Sequence, residues 1–120
     1  MRRLLGFLIP LIICSFDKDK DSSVKKLNAN NYHAAVKENK NLLVEFFAPW
    51  CNHCKQFNPE YEKAAQLLSQ EQPVMVLAQV DCTETHNVEL CKSIPVKGYP
   101  TLMCYKDGKG NFSCTCSEPN

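Results

Sequence analysis

The chain has 120 residues, room for one small domain, and a net charge of +1 with its basic residues scattered. That balance excludes the basic stripe with which a protein holds nucleic acid. Eight cysteines in so short a chain suit a compartment that permits disulfides better than a reducing cytosol. Arg2 and Arg3 precede an apolar run from Leu4 to Phe16, broken only by Gly6, Pro10 and Ser15. A membrane-spanning helix needs about 20 apolar residues, more than this run supplies. Its charged start, apolar centre and small residues near Cys14 and Ser15 read as a signal peptide over 1–15, with a retained anchor as the alternative. Cleavage after Ser15 would remove Cys14 and leave an odd number of cysteines, so at least one thiol would stay unpaired or join another molecule.

Residues 16–23 read as a linker, with charges of alternating sign from Asp17 to Asp21. Val24 to Leu27 suit a short strand. Asn28 to Asn31 offer helix caps before a short helix over Tyr32 to Asn39. Leu42 to Phe47 is an apolar run of strand length with one acid, Glu45, inside it. Residues 51 to 70 have helical spacing, with Phe57, Tyr61, Ala65 and Leu68 on one face and Pro59 expected to kink the helix. Val74 to Val80 reads as a second buried strand, and residues 85 to 93 as a helix. Tyr99-Pro100 is a turn signal ahead of a strand at Thr101 to Tyr105. Lys106 to Gly110 reads as a hairpin loop, with Phe112 to Cys116 as the return strand. Strands alternating with helices, closed by a hairpin, give a three-layer α/β sandwich with a mixed sheet over 24–116, followed by a tail at 117–120.

Cys51-Asn52-His53-Cys54 falls where a strand passes into a helix. A helix N-terminus carries partial positive charge and unpaired N–H groups, and both stabilise a thiolate. His53 can add a hydrogen bond or a charge. Cys51, at the helix start, is expected to be the exposed nucleophile and Cys54, one turn in, the shielded resolving thiol. Half of a zinc site and an inert structural bridge are the alternatives. Zinc needs two more ligands, and Cys114-x-Cys116, the one candidate pair, is spaced more tightly than usual. Glu45 is costly inside an apolar strand unless it is paired or neutral, and a buried carboxyl with a raised pKa can carry a proton near neutral pH. A partly exposed edge-strand position is the other reading of it.

Leu43 to Lys55, including Ala48-Pro49-Trp50-Cys51-Asn52-His53-Cys54, resembles the active-site segment of the protein disulfide isomerase family, within the thioredoxin fold. Val96-Lys97-Gly98-Tyr99-Pro100-Thr101-Leu102 is similar to a second hallmark of that family, and the resemblance covers roughly residues 24 to 110. It implies a thioredoxin-like α/β sandwich and an enzyme that forms, reduces or rearranges protein disulfides. By the same resemblance Cys51 attacks, Cys54 resolves, and Glu45 takes the Cys54 proton. Pro100 is cis beside the cysteines, and the backbone of Tyr99 and the ring of Trp50 hold the peptide. The cysteine pair is then the redox group, with no metal or other cofactor. The implied partners are unfolded or disulfide-containing proteins, with glutathione or an oxidase for recycling; neither nucleic acid nor, after signal removal, a membrane is expected. A place in the endoplasmic reticulum lumen or outside the cell follows, although Ser117-Glu118-Pro119-Asn120 is not a retention signal of the Lys-Asp-Glu-Leu type.

The sequence departs from the family pattern in three places. Asn52 stands where the family most often has Gly, which bears on thiol pKa and redox potential. Gln79 stands where a lysine usually neighbours the buried acid. The last helix of the family domain, with an arginine that assists the resolving thiol, has no counterpart, so the domain is expected to be incomplete. A truncated module that binds unfolded clients with weak turnover is the competing expectation. Family members carry a cysteine pair near Cys82 and Cys91, which are therefore expected to form a structural disulfide; two free core cysteines are the alternative. Cys104 fits a small buried hydrophobe. Cys114 and Cys116 remain open between pairing, an intermolecular link and no role. Asn111-Phe112-Ser113 is a glycosylation sequon, accessible at a hairpin.

Overall fold

The computed structural model describes residues 22–94 and 96–111. The expected signal peptide, most of the linker, the tail, Cys114 and Cys116 lie outside the described residues, as do Phe112 and Ser113 of the sequon.

Five strands form one sheet: β1 (Lys25–Leu27), β2 (Asn41–Phe47), β3 (Val76–Asp81), β4 (Thr101–Lys106) and β5 (Lys109–Asn111), in the order β1-β3-β2-β4-β5. β3 runs parallel to β1 and β2, whereas β4 pairs antiparallel with β2 and β5. The helices are α1 (Tyr32–Glu38), α2 (Asn52–Leu68) and α3 (Val88–Ser93). β2 is central, and its period of two sorts its side chains. Leu42, Val44 and Phe46 are fully buried on one face. There they pack with Tyr32, Ala35 and Val36 of α1 and with Leu90 and Cys91 of α3. Leu43 points to the other face and packs with Leu77, Leu102 and with Tyr61 and Ala65 of α2. Helices on both faces of a mixed sheet make the three-layer sandwich expected from the sequence. Truncating a residue such as Phe46 to alanine would cost about 3–5 kcal/mol.

Two polar contacts fix the helices and loops around the sheet. The Tyr61 hydroxyl lies 2.8 Å from the Ala78 carbonyl and 3.0 Å from that of Leu43, so its one proton is shared between adjacent strands and seats α2 on the sheet. Asn87 is buried; its Oδ1 accepts from Ala29 N–H at 2.8 Å and its Nδ2 donates to the Asp81 carbonyl at 3.0 Å. That ties the loop before α1 to the end of β3. Cys82 and Cys91 form a disulfide with a Cα–Cα distance of 5.9 Å, joining the end of β3 to α3.

The structure corrects several local expectations. The hairpin loop is only Asp107-Gly108, and the return strand is Lys109–Asn111 rather than a segment starting at Phe112. Asp107 and Gly108 have φ of 54° and 83°, the pair of positive values a tight two-residue hairpin demands. β3 starts at Val76, where pairing with Leu42 begins, and Val74 is exposed. The expected helix over 85 to 93 is a 3₁₀ turn, Thr85–Asn87, followed by α3. Asn31 occupies the cap position of α1 without a side-chain cap bond; Asn28 Oδ1 instead accepts from Asn30 and Asn31 N–H. As expected, Pro59 lies inside α2, where its missing N–H leaves the Lys55 carbonyl without its helical donor. Cys104 is half-buried and disulfide-bonded, not a simple core hydrophobe.

Candidate active site

β2 ends at Phe47, the chain turns through Ala48-Pro49-Trp50, and α2 starts at Asn52. Cys51 is therefore the N-cap of α2, extended in backbone, and its sulfur accepts the Cys54 N–H at 3.2 Å. An N-cap acceptor meets one of the orphan donors of the first turn, a role that serine or aspartate oxygens usually fill. Here a sulfur fills it, so the helix end acts directly on the reactive atom. The Cys51 thiol lies below its usual range: a hydrogen bond from the Cys54 thiol pulls it down, helped by the N–H groups of Cys54 and His53 and opposed by burial. Cys54 is pushed the other way, to about 11, first by burial and then by that same hydrogen bond to Cys51. The two thiols are thus unequal, one prone to ionise and one held protonated.

Cys54 is shielded as expected, whereas Cys51 is more covered than expected. Cys51 is 8% exposed and Cys54 1%, packed with Ala48, Phe47 and Tyr99. The expectation of an exposed Cys51 is corrected: its thiol faces the Tyr99 carbonyl at 3.6 Å. The Tyr99–Pro100 peptide is cis and leads into β4. Trp50 is 67% exposed, and its ring meets the Tyr99 ring edge-on at 5.8 Å. The exposed indole of Trp50 and the Tyr99 carbonyl thus lie together beside the covered Cys51 sulfur. His53 is exposed, and among the described residues nothing hydrogen-bonds its imidazole; its backbone N–H is what acts on Cys51.

Glu45 is fully buried on the α2 face of β2, which removes the edge-strand reading. Burial raises its carboxyl to about 7, and the Gln79 amide, donating at 3.2 Å from β3, holds it back in part. Gln79 also lines an open cleft of about 260 Å³ with Lys26, Phe47, Asp81 and Glu84. Gln79 thus stands between the buried Glu45 carboxyl and that cleft wall. The sequence did not single out Asn58. With its amide nitrogen facing inward, Asn58 Nδ2 lies 2.9 and 3.1 Å from the two Glu45 oxygens and 3.1 Å from the Cys54 carbonyl. The signal was present: Asn58 lies four residues after Cys54, a polar side chain on the face that Tyr61 and Ala65 bury. Asn111 ends β5 opposite Cys104, outside this site.

Residues 23–119 match the family Thioredoxin. The chain belongs to the thioredoxin family. It is 43% identical over 110 residues to a protein disulfide-isomerase of Medicago sativa, covering 90% of this chain and 22% of that one. It is 47% identical over 90 residues to the protein disulfide-isomerase of Triticum aestivum, covering 75% and 18% of the two chains. The chain thus spans about a fifth of the length of these curated relatives. Among solved structures, the first thioredoxin domain of mouse protein disulfide-isomerase A4 superposes with a TM-score of 0.65 at 38% identity, over 80% of this chain and 71% of that one. The sheet order, the dithiol at the head of α2 and the cis proline facing it belong to one thioredoxin domain in this chain.

Proposed function

We propose that this chain is a thiol–disulfide oxidoreductase and isomerase that acts on protein disulfides in the secretory pathway through Cys51 and Cys54. The observation that carries the reading is the asymmetry of the pair, with Cys51 lowered at the helix cap and Cys54 raised to about 11 behind it. The Cys51 thiolate attacks a substrate disulfide; one Cys51–substrate bond forms and the substrate's own S–S bond breaks, releasing a thiolate. Cys54 then gives its proton to Glu45 and attacks Cys51. The Cys51–Cys54 bond forms, the substrate leaves reduced, and the chain is oxidised by two electrons. Run in reverse, the same steps insert a disulfide. A carboxyl near 7 is poised to take and return that proton at neutral pH.

Trp50, the Tyr99 backbone and Pro100 serve as the peptide shelf in this account, and the dithiol is the only redox group it requires. Disulfide-containing or unfolded proteins are the substrates, with glutathione or an oxidase to reset the pair. The endoplasmic reticulum lumen or the extracellular space is the setting, supported by the kinship with protein disulfide-isomerases. Trapping tests the reading. Cys54→Ser in the full chain should accumulate a mixed disulfide with a disulfide-bonded peptide at Cys51, and Cys51→Ser should accumulate none. Peptide capture without any adduct would overturn the enzymatic reading in favour of a client-binding module. Protease protection of the full chain in isolated microsomes tests the compartment; a freely digested chain would contradict it.

A further inference from the structure

Glu45 is surrounded by polar groups that bring no positive charge to it. From α2 it meets Asn58, and the thiols of Cys54 and Cys51 and the hydroxyl of Tyr61 feel its charge. From β3 it meets Gln79, and Asp81 lies two residues further along the same face. From β4 the residue opposite is the apolar Leu102. Lys26 of β1 is opposite Gln79, one strand removed from Glu45. Among the described residues no lysine, arginine or histidine pairs with Glu45. Hydrogen bonds to the ionised form are thus what favours the carboxylate here.

Asn58 supplies the closest of them, at 2.9 Å. Turned the other way, its oxygen would face three oxygens, so the site selects the nitrogen-inward amide. The two protons of that nitrogen have two destinations, the Glu45 carboxylate and the Cys54 carbonyl one turn back. The amide therefore bridges the proton acceptor and the helical turn that carries the proton donor.

We propose that Asn58 is a positioning residue of the dithiol site, its carboxamide fixing the Glu45 carboxylate against the Cys54 turn and setting the pH at which Cys54 can release its proton. The inference rests on the reading of Cys51 and Cys54 as the redox pair. Loss of the amide removes a donor to the charged form, so Glu45 holds its proton to higher pH. Asp at this position would set a second carboxyl beside the first and raise the shared titration further.

The test follows release of glutathione from its mixed disulfide with Cys51, in single turnover, against pH. In Asn58→Ala the midpoint of the rising limb should move up by about one pH unit, with up to about a tenfold slower rate below it and recovery at high pH. Asn58→Asp should move it further. A midpoint that stays in place in folded Asn58→Ala would overturn the proposal. The unsubstituted chain gives a second measurement that needs neither turnover nor a variant. The side-chain amide resonances of Asn58 should titrate with the same midpoint as the Glu45 carboxyl carbon. Amide resonances indifferent to that titration would overturn the proposal. A shared titration in a chain with no dithiol activity would leave Asn58 in place and refute the redox reading alone.

Discussion

Glu45→Gln should make the protein more stable in alkaline than in acidic solution relative to the parent. The carboxyl titrates at about 7 in the folded chain against 4.5 for the free side chain. Below the lower value both states carry the proton, and the group contributes nothing to pH dependence. Between the two values the unfolded chain has released the proton and the folded chain retains it. Stability then falls as pH rises, because the folded state binds more protons. Above about 7 the loss levels off, and the gap between 4.5 and about 7 corresponds to about 3 kcal/mol. Glutamine keeps the shape and two acceptor lone pairs for Asn58 and Gln79 but carries no charge to bury. Urea unfolding of both proteins, with Cys51 and Cys54 reduced, reads the difference. The variant should gain up to about 3 kcal/mol at about pH 8 and much less at about pH 4, while its resolving step slows by about 10²–10⁴. A stability difference that is the same at both pH values would refute the burial argument for Glu45.

Other outcomes follow from the same geometry. Iodoacetamide at neutral pH should alkylate Cys51 and spare Cys54, whose thiol is held at about 11; peptide mapping that finds Cys54 modified first would reverse the assigned roles. Trp50→Ala, at a side chain 67% exposed, should change stability by no more than about 0.5 kcal/mol. It should weaken peptide binding by about 1 kcal/mol or more, measured by calorimetry. Cys82→Ser with Cys91→Ser opens a loop of nine-residue separation and should cost about 2–3 kcal/mol in urea unfolding, with the Cys51 alkylation rate unchanged.

Much of the frame was legible because it rests on periodicity. Leu42, Val44 and Phe46 alternate as a central strand must, and Tyr61 and Ala65 recur as a helix seated on a sheet must. The hairpin was misjudged because Lys106 to Gly110 carries turn residues beyond the tight turn, and only pairing of Lys106 with Lys109 fixes where it closes. The Cys51 burial was not legible because its cover comes from Tyr99, far along the chain. Asn58 was overlooked for a similar reason: its meaning depends on Glu45, thirteen residues earlier and on the strand below. Gln79 was noticed as a departure from a family pattern. Its contact with Glu45 and its place on the cleft wall required the β2–β3 register.

The reduction potential of the Cys51–Cys54 pair in glutathione buffers tests the central claim most directly. A thiolate stabilised at the helix cap favours the reduced form and makes the disulfide oxidising. The account expects a value of about −180 mV, typical of protein disulfide isomerase. A value of about −270 mV would mark a reductase and contradict the secretory role, and a pair that does not equilibrate with glutathione at all would contradict the dithiol chemistry itself.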